Sequence, residues 1–350
     1  MGYNAGFPAT TPGDPAMSID QLAETAQAMV AAGKGIIAID ESTATIKKRF
    51  DGVGIECTED NRRAYREMLL TTPKLGDYIS GAILYDETLR QSTKAGVPFT
   101  KVMMDAGILP GIKVDLGAKP LAGFPGELVT EGLDGLRDRL KEYARLGARF
   151  AKWRAVITIG EDMPSGTCIE ANCHALARYA ALCQEVGIVP MVEPEVLMDG
   201  SHDIDTCYDI TEVTLRSLFG SLYEHNVMLE GTILKASMVV SGKDCPEQAS
   251  VEEVAEMTLR CLKASVPATL PGIVFLSGGQ SDEDATAHLN AMNQMGPKPW
   301  PLSFSYGRAM QSAALKLWAK DMAGNFAAAQ QTVYARAKDN GLAALGRWKG

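Results

Sequence analysis

Residues 231–238 read GTILKASM, a β-branched and apolar run that is typical of a buried strand, yet it carries Lys235 at its centre. An ammonium group is costly to bury, so its presence there requires a reason. Seven similar runs occur along the chain, and the starts of successive runs lie 29 to 46 residues apart. They span residues 35–40, 81–86, 111–115, 150–156, 189–196, 272–279 and 301–308.

Helical patterns fill most of the intervals between these runs, for example EANCHALARYAALCQEV at 170–186. Strands that alternate with helices pair in parallel through right-handed crossovers. Eight such units predict an α/β fold, a single closed (β/α)8 TIM barrel with parallel strands. An open doubly wound sheet is the alternative. Neither G-x-G-x-x-G after the first run nor G-x-x-x-x-G-K-[ST] occurs, so nucleotide binding loses its main support.

The barrel domain is predicted to span residues 18–346. Residues 1–17, which are rich in glycine, proline and threonine, predict a disordered N-terminal arm. Residues 347–350 are expected to form a short C-terminal end. Two pairs of residues have the spacing of a capping box that opens a helix: Ser18 with Gln21, and Ser250 with Glu253.

The composition limits the possible partners and the compartment. Lysine and arginine number 34 against 43 acidic residues, a formal net charge of −9 without any basic block, which disfavours nucleic acid. No apolar run reaches the roughly 18–20 residues of a membrane helix, so no membrane partner is expected. Seven cysteines at irregular intervals indicate reduced thiols in a cytoplasmic compartment.

Charged residues recur towards the C-terminal ends of the runs, where barrels of this type gather their catalytic groups. Lys152 and Arg154 share one face of the fourth run, and Glu193 and Glu195 share one face of the fifth, because strand side chains repeat every two residues. Any one of these charged residues could simply face solvent at a strand end. Because so many occur at equivalent positions of different runs, a functional site is favoured. The other charged residues at run ends are Asp40, Lys113 and Asp115.

The order of the runs gives Lys235 a specific electrostatic environment. Lys152, Glu193 and Lys235 come from successive strands, which lie about 4.8 Å apart in a sheet. A carboxylate is therefore expected between two ammonium groups in one pocket. Burial and a second cation both disfavour the charged form of a lysine. The pattern predicts an uncharged amine at Lys235 that forms an imine with a carbonyl substrate, and a structural ion pair with Glu193 is the alternative.

The last two runs end in residues that suit a phosphate group. Ser277-Gly278-Gly279 ends the seventh run and Gly307-Arg308 ends the eighth. Glycines let backbone N–H groups approach an anion, and arginine binds phosphate through two parallel hydrogen bonds. Barrels often bind phosphate at the loops after strands seven and eight. The two motifs together predict a phosphate site, although a tight turn alone would explain the glycine pair.

Several segments, taken in order, resemble class I fructose-1,6-bisphosphate aldolase, the Schiff-base type, over nearly the whole chain. The resemblance implies reversible cleavage of fructose 1,6-bisphosphate into dihydroxyacetone phosphate and glyceraldehyde 3-phosphate. It also implies a cytoplasmic homotetramer that needs no metal or other cofactor, and the four histidines offer no spacing typical of metal ligands. The matching segments are GKGIIAIDEST, TEDNRRAYREMLL, GIKVD, FAKWR, GIVPMVEPE, LEGTILK, FLSGGQS and FSYGRA.

The resemblance also implies a role for each matching residue. Lys235 would form the imine with the C2 ketone, while Glu193 would serve as general acid and base and Lys152 would assist. Asp40 would take the proton from the C4 hydroxyl, and Glu195 would orient Glu193 and the lysines. The residues implied for the ketose-end phosphate are Ser277, Gly278, Gly279, Ser305, Gly307 and Arg308. The candidates for the other phosphate, or for steering, are Ser42, Arg49, Lys113 and Arg154.

Family members from animals and plants carry a flexible tail ending in tyrosine that assists proton exchange at the enamine carbon, whereas the sequence here ends in GRWKG. We expect another group, Glu193 or the substrate phosphate, to handle the C3 proton. Two other functions stay open at the level of sequence. One is a different Schiff-base lyase of the transaldolase or deoxyribose-phosphate type, and the other is a non-catalytic scaffold.

Overall fold

The computed structural model describes residues 19–350, so the predicted arm at 1–17 and the Ser18 cap lie outside the described residues. Eight strands close into one barrel in the order in which they occur along the chain, and every pairing is parallel. The predicted (β/α)8 barrel is confirmed, and the open sheet is excluded. The barrel strands are β1 (Gly35–Ile39), β2 (Ile79–Leu84), β3 (Leu109–Lys113), β6 (Phe150–Ile157), β7 (Val189–Val196), β8 (Ile233–Ala236), β9 (Ile273–Phe275) and β10 (Leu302–Tyr306).

Helices occupy the outside of the barrel. The N-terminal half contains α1 (Ile19–Met29), α2 (Thr43–Asp51), α3 (Glu59–Leu70), α4 (Asp86–Arg90), α5 (Phe99–Asp105) and α6 (Leu136–Arg145). The C-terminal half contains α7 (Gly166–Glu185), α8 (Ile204–Glu224), α9 (Val251–Ser265), α10 (Asp282–Gln294), α11 (Arg308–Lys320) and α12 (Phe326–Ala343). The predicted cap at Ser250 is confirmed, because its hydroxyl accepts the Glu253 N–H at 3.2 Å. None of the helices within 19–350 is both long and apolar enough to cross a membrane.

Several strands end earlier than their apolar runs. The predicted seventh run extends to residue 279, but β9 ends at Phe275. The φ angles of Gly278 and Gly279 are +51° and +97°, a region that extended strands do not use, so the chain turns there. β8 and β10 also end at Ala236 and Tyr306, two residues before the ends of their runs. The early ends leave the phosphate-type motifs in loops above the barrel.

A two-stranded hairpin of β4 (Ala118–Pro120) and β5 (Leu128–Thr130) was not apparent from the sequence. Each strand has only three residues, which is too short for a periodic pattern to register. Hydrogen bonds from Thr130 attach the hairpin to β6 and α7. The Thr130 hydroxyl donates to the carbonyl of Arg154 at 2.7 Å, and the Thr130 N–H donates to the Asn172 side chain at 3.1 Å.

Towards the C-terminal ends of four barrel strands, the interior changes from apolar to charged. Side chains that point inwards recur at every second residue, so the apolar residue and the charged residue on one strand lie two positions apart. The apolar members belong to one buried cluster that also includes residues of α1. The pairs, given as apolar then charged residue, are Ala38 and Asp40, Phe150 and Lys152, Met191 and Glu193, and Ile233 and Lys235.

Candidate active site

A cavity of about 470 Å³ opens at the C-terminal ends of the barrel strands. It brings together every site residue that the sequence predicts except Gly279, which directly follows the lining residue Gly278. The predicted residues that line it are Asp40, Ser42, Arg49, Lys113, Lys152, Arg154, Glu193, Glu195, Lys235, Ser277, Gly278, Ser305, Gly307 and Arg308.

Four charged side chains form a continuous chain of contacts at the bottom of this cavity. The Lys235 Nζ lies 3.0 Å from Glu193 Oε1, and the Lys152 Nζ lies 3.4 Å from Glu193 Oε2. Lys152 also contacts Asp40, with 2.7 Å between Nζ and Oδ2. The side chains of Lys235, Glu193 and Lys152 are 5% exposed or less, so the predicted arrangement of a carboxylate between two lysines is confirmed.

The pKa values of these groups differ from their usual values because burial competes with neighbouring charges. Burial alone would raise the pKa of Asp40, but Lys152 and Lys235 lower it to about 2. Burial would likewise raise the pKa of Glu193, but the same two lysines lower it. Burial would lower the pKa of Lys152, but Asp40, Glu193 and Asp115 raise it above its ordinary range. Asp40 and Glu193 are therefore carboxylates at neutral pH, and Lys152 is an ammonium.

A tyrosine holds the backbones of two of these strands together. The Tyr179 hydroxyl, on α7, donates to the carbonyl of Ala151 at 2.6 Å and accepts the N–H of Met191 at 3.1 Å. Ala151 precedes Lys152 in β6, and Met191 lies two residues before Glu193 in β7. The hydroxyl thus fixes the backbone next to both catalytic candidates, and burial raises the pKa of this phenol well above its usual value.

A second group of charges lies on the β3 side of the cavity. The Lys113 Nζ contacts Asp115 Oδ1 at 2.6 Å. The other carboxylate oxygen of Asp115 accepts a hydrogen bond from the backbone N–H of Arg154 at 3.3 Å. Glu195 forms its ion pair with the Arg154 guanidinium. The predicted role of Glu195 in orienting the lysines therefore has an alternative, because the contact that the structure shows is with Arg154. Burial would lower the pKa of Arg154, but Glu195 raises it above its usual range.

Most residues of the predicted anion site lie in the loops after β9 and β10. The Gln280 N–H donates to the Ser277 carbonyl at 2.8 Å, which closes a tight turn around the two glycines. The side chain of Gln280 is held in turn by His288 on α10, with 2.6 Å between Oε1 and Nδ1. Arg308 is the first residue of α11, so the N-terminus of a 13-residue helix points its N–H groups to the same place.

Several residues of the site are not apparent from the sequence. Glu41 and Tyr85 line the cavity, and Leu116 lies at its rim with 62% of its surface exposed. The position of Glu41 between Asp40 and Ser42 was the one available signal, but no spacing rule separates it from an ordinary strand-end charge. Within residues 19–350, no cluster of three or more histidine, cysteine or acidic side chains could hold a metal ion.

The family model for fructose-bisphosphate aldolase class-I matches residues 21–350. A protein from Xanthomonas campestris named probable fructose-bisphosphate aldolase class 1 is 80% identical, over 95% of this chain and 100% of its own length. Fructose-bisphosphate aldolase 4, cytosolic, from Arabidopsis thaliana is 54% identical, over 91% of this chain and 81% of its own.

A solved structure gives the same result for the fold. It is the fructose-bisphosphate aldolase of Plasmodium falciparum in complex with TRAP and a small-molecule inhibitor. Its TM-score is 0.93 at 48% identity, and the match covers 95% of this chain and 96% of that one. The chain therefore belongs to the class I fructose-bisphosphate aldolase family, the lyases that cleave fructose 1,6-bisphosphate reversibly through a lysine Schiff base.

Proposed function

We propose that Lys235 forms the imine with the C2 carbonyl of fructose 1,6-bisphosphate in this aldolase. The observation that carries the proposal is a lysine amine, 5% exposed at the bottom of the cavity, 3.0 Å from the carboxylate of Glu193. An amine in this position can attack a ketone, and the carbinolamine that results must lose water. Glu193, a carboxylate in the free site, takes a proton from the Lys235 nitrogen and passes it to the departing hydroxyl. Water leaves, and a protonated imine remains on Lys235.

Asp40 is the proposed base for cleavage of the carbon–carbon bond. Its carboxylate, with a pKa of about 2, is ionised at neutral pH and takes the proton of the C4 hydroxyl. The C3–C4 bond then breaks, its electron pair moves into the protonated imine to give an enamine, and the aldehyde product leaves. Protonation of C3 and hydrolysis of the imine release dihydroxyacetone phosphate. The Lys152 ammonium, 2.7 Å from Asp40, stabilises the negative charges of the site throughout.

The two ends of the cavity are the proposed phosphate sites. The ketose-end phosphate is assigned to the end of β10 and to the loops that follow β9 and β10, where glycine N–H groups, hydroxyls and a helix N-terminus meet. The other phosphate, or substrate steering, is assigned to cationic and hydroxyl groups from α2 and its N-cap, from β3 and from β6. The ketose-end residues are Ser277, Gly278, Gly279, Ser305, Gly307 and Arg308, and the others are Ser42, Arg49, Lys113 and Arg154.

Glu195 is proposed to act on substrate binding through Arg154, which it contacts, in addition to the role implied by the family resemblance. A comparison of Glu195→Gln with Arg154→Met tests this assignment. We expect both variants to raise KM for fructose 1,6-bisphosphate with smaller changes in kcat. A loss of kcat in Glu195→Gln without any change in KM would instead support a role in orienting Glu193 and the lysines.

The residue roles are tested together by steady-state cleavage of fructose 1,6-bisphosphate in the variants Lys235→Met, Glu193→Gln and Asp40→Asn. We expect each to lose at least about 100-fold in kcat, the usual contribution of a positioned acid or base, and Lys235→Met to lose the most. Cleavage of fructose 1-phosphate and of deoxyribose 5-phosphate by the wild-type protein measures selectivity. Preferential cleavage of deoxyribose 5-phosphate would contradict the proposed bisphosphate site.

The biological setting is also a proposal. We propose a cytoplasmic homotetramer with 18–346 as its catalytic domain, which is supported by the family resemblance and by the word cytosolic in the name of the Arabidopsis relative. Sedimentation velocity at micromolar concentration tests the oligomeric state, and a monomer or dimer would contradict it. The acidic net charge of −9 supports a small-molecule substrate over nucleic acid as the partner.

A further inference from the structure

Arg66 on α3 is a buried cation that the proposed mechanism does not use. Its side chain is 3% exposed, and it does not line the cavity. Within the described chain its ion pair is with Glu41, at 2.7 Å between Nη2 and Oε2. Its Nε and Nη1 atoms are buried and have no hydrogen-bond partner in the described residues. Two unpartnered nitrogen atoms are costly to bury, so hydrogen bonding does not account for a guanidinium at this position.

Glu41 connects this buried cation to the active-site cavity. The other oxygen of the Glu41 carboxylate accepts from the Arg49 guanidinium and from Gln311 Nε2, the latter at 2.8 Å. Gln311 also donates to the carbonyl of Ala38 and accepts from the Tyr65 hydroxyl, both at 2.8 Å. Glu41 is therefore held in one place, between a buried arginine behind the site and an arginine that lines the cavity.

The charges of this group do not cancel. Arg49 and Arg66 supply two positive charges and Glu41 supplies one negative charge, and the group is largely removed from water. Charge interactions are stronger in such surroundings than in bulk solvent. If Glu41 faced Arg49 alone, the pair would be neutral, and a substrate phosphate would have to compete with the Glu41 carboxylate for the same guanidinium.

We propose that Arg66 is a positioning residue for substrate binding, which shares the Glu41 carboxylate and so leaves Arg49 with net positive charge for a substrate phosphate. The proposal rests on the proposed role of Arg49 as a phosphate or steering residue. Arg66 touches no substrate in this account. It acts through Glu41, and its effect depends on its charge and not on its volume.

The test is a charge-balance series measured by kcat and KM for fructose 1,6-bisphosphate. We expect Arg66→Met to raise KM about tenfold, equivalent to about 1.4 kcal/mol, with kcat within about twofold of wild type. The double variant Glu41→Gln with Arg66→Met again leaves Arg49 uncompensated, so its KM is expected within about threefold of wild type. A residue that served only to fill space would not be rescued by the second substitution.

One further variant, together with the double variant, makes the conclusion independent of folding defects. Arg63→Met, on the same helix and paired with Glu67 at 2.5 Å, is the matched control and should leave KM unchanged. If Arg66→Met does not fold, the KM of the double variant tests the proposal instead. The double variant buries no charge at these two positions. A wild-type-like KM in the double variant then supports the proposal, and a KM raised tenfold or more overturns it.

An unchanged KM in folded Arg66→Met would also overturn the proposal. These outcomes are distinct from a failure of the proposed mechanism. That failure would appear as turnover in a Lys235 variant, whereas failure of the present inference leaves wild-type turnover and its dependence on Lys235 intact.

Discussion

The Lys235 Nζ and Glu193 Oε1 lie 3.0 Å apart across the neighbouring strands β8 and β7. The distance is short enough for direct proton transfer between the two groups. The second carboxylate oxygen of Glu193 contacts Lys152 at 3.4 Å. Glu193 can therefore accept a proton from the Lys235 nitrogen and return it to an intermediate, while Lys152 stabilises the carboxylate from the other side.

Replacing Glu193 by glutamine tests this proton transfer. Glutamine keeps the shape of the side chain but cannot exchange a proton, so we expect kcat to fall about 10²- to 10⁴-fold with little change in KM. Rapid-quench trapping should show that imine formation has become slow. An unchanged kcat would mean that another group handles carbinolamine dehydration.

Asp40 predicts a specific dependence of stability on pH. Its pKa in the folded protein is about 2, below the value of 3.8 for an unperturbed aspartate, so the folded state favours the ionised form. The stability that follows from this difference is complete above about pH 4 and is lost as the pH falls through about 2. We expect the free energy of unfolding of Asp40→Asn to depend less on pH than that of wild type over this interval. Denaturant unfolding at a series of pH values measures the free energy of unfolding of both proteins. If this free energy depended on pH in the same way in Asp40→Asn and in wild type, the prediction would be contradicted.

Removal of the Tyr179 hydroxyl tests the connection between β6 and β7. We expect Tyr179→Phe to lose about 1 kcal/mol in the free energy of unfolding, because buried backbone groups lose a partner. We also expect a several-fold lower kcat with unchanged KM, because the Lys152 and Glu193 side chains would no longer be held at a fixed separation. Tyr143→Phe is the control, since that hydroxyl bonds Asp86, which does not line the cavity. Equal kcat values in the two variants would contradict the positioning role.

Gly279→Ala tests the anion site after β9. The φ of Gly279 is +97°, a conformation in which a residue with a Cβ is strained. The added Cβ would also lie 3.1 Å from Lys243 Cε and 3.3 Å from Met198 Sδ, so those side chains must move slightly. We expect KM for fructose 1,6-bisphosphate to rise about tenfold through loss of N–H contacts to phosphate. Gly220→Ala on α8 is the control, because its Cβ would meet no atom within 4 Å, and helix stability should rise by about 0.5–1 kcal/mol. A larger KM effect in the control would contradict the assignment.

The sequence alone predicts the barrel because its signal is repeated eight times. A misjudged end, such as that of β9, does not change the number or the order of the strands. Lys152, Glu193 and Lys235 could be placed together for the same reason, since consecutive parallel strands of a barrel are neighbours. Their proximity follows from side-chain period and strand order, whereas the contacts at 3.0 and 3.4 Å depend on strand register and side-chain conformation.

What the sequence does not predict depends on contacts between distant segments. Glu41 and Gln311 are 270 positions apart and meet only because β1 and β10 close the barrel. Arg66 belongs to an ordinary amphipathic helix pattern, and nothing local distinguishes it from the half-buried Arg62 and Arg63 on the same helix. The Tyr179 hydroxyl likewise resembles a packed aromatic until β6 and β7 are seen on either side of it.

The most direct test of the central claim is borohydride reduction of the protein in the presence of fructose 1,6-bisphosphate or dihydroxyacetone phosphate, followed by peptide mass spectrometry. The account predicts a covalent adduct on Lys235 in the wild-type protein and no adduct in Lys235→Ala, which should also lack turnover. Undiminished cleavage by Lys235→Ala, or an adduct on Lys152 in place of Lys235, would contradict it.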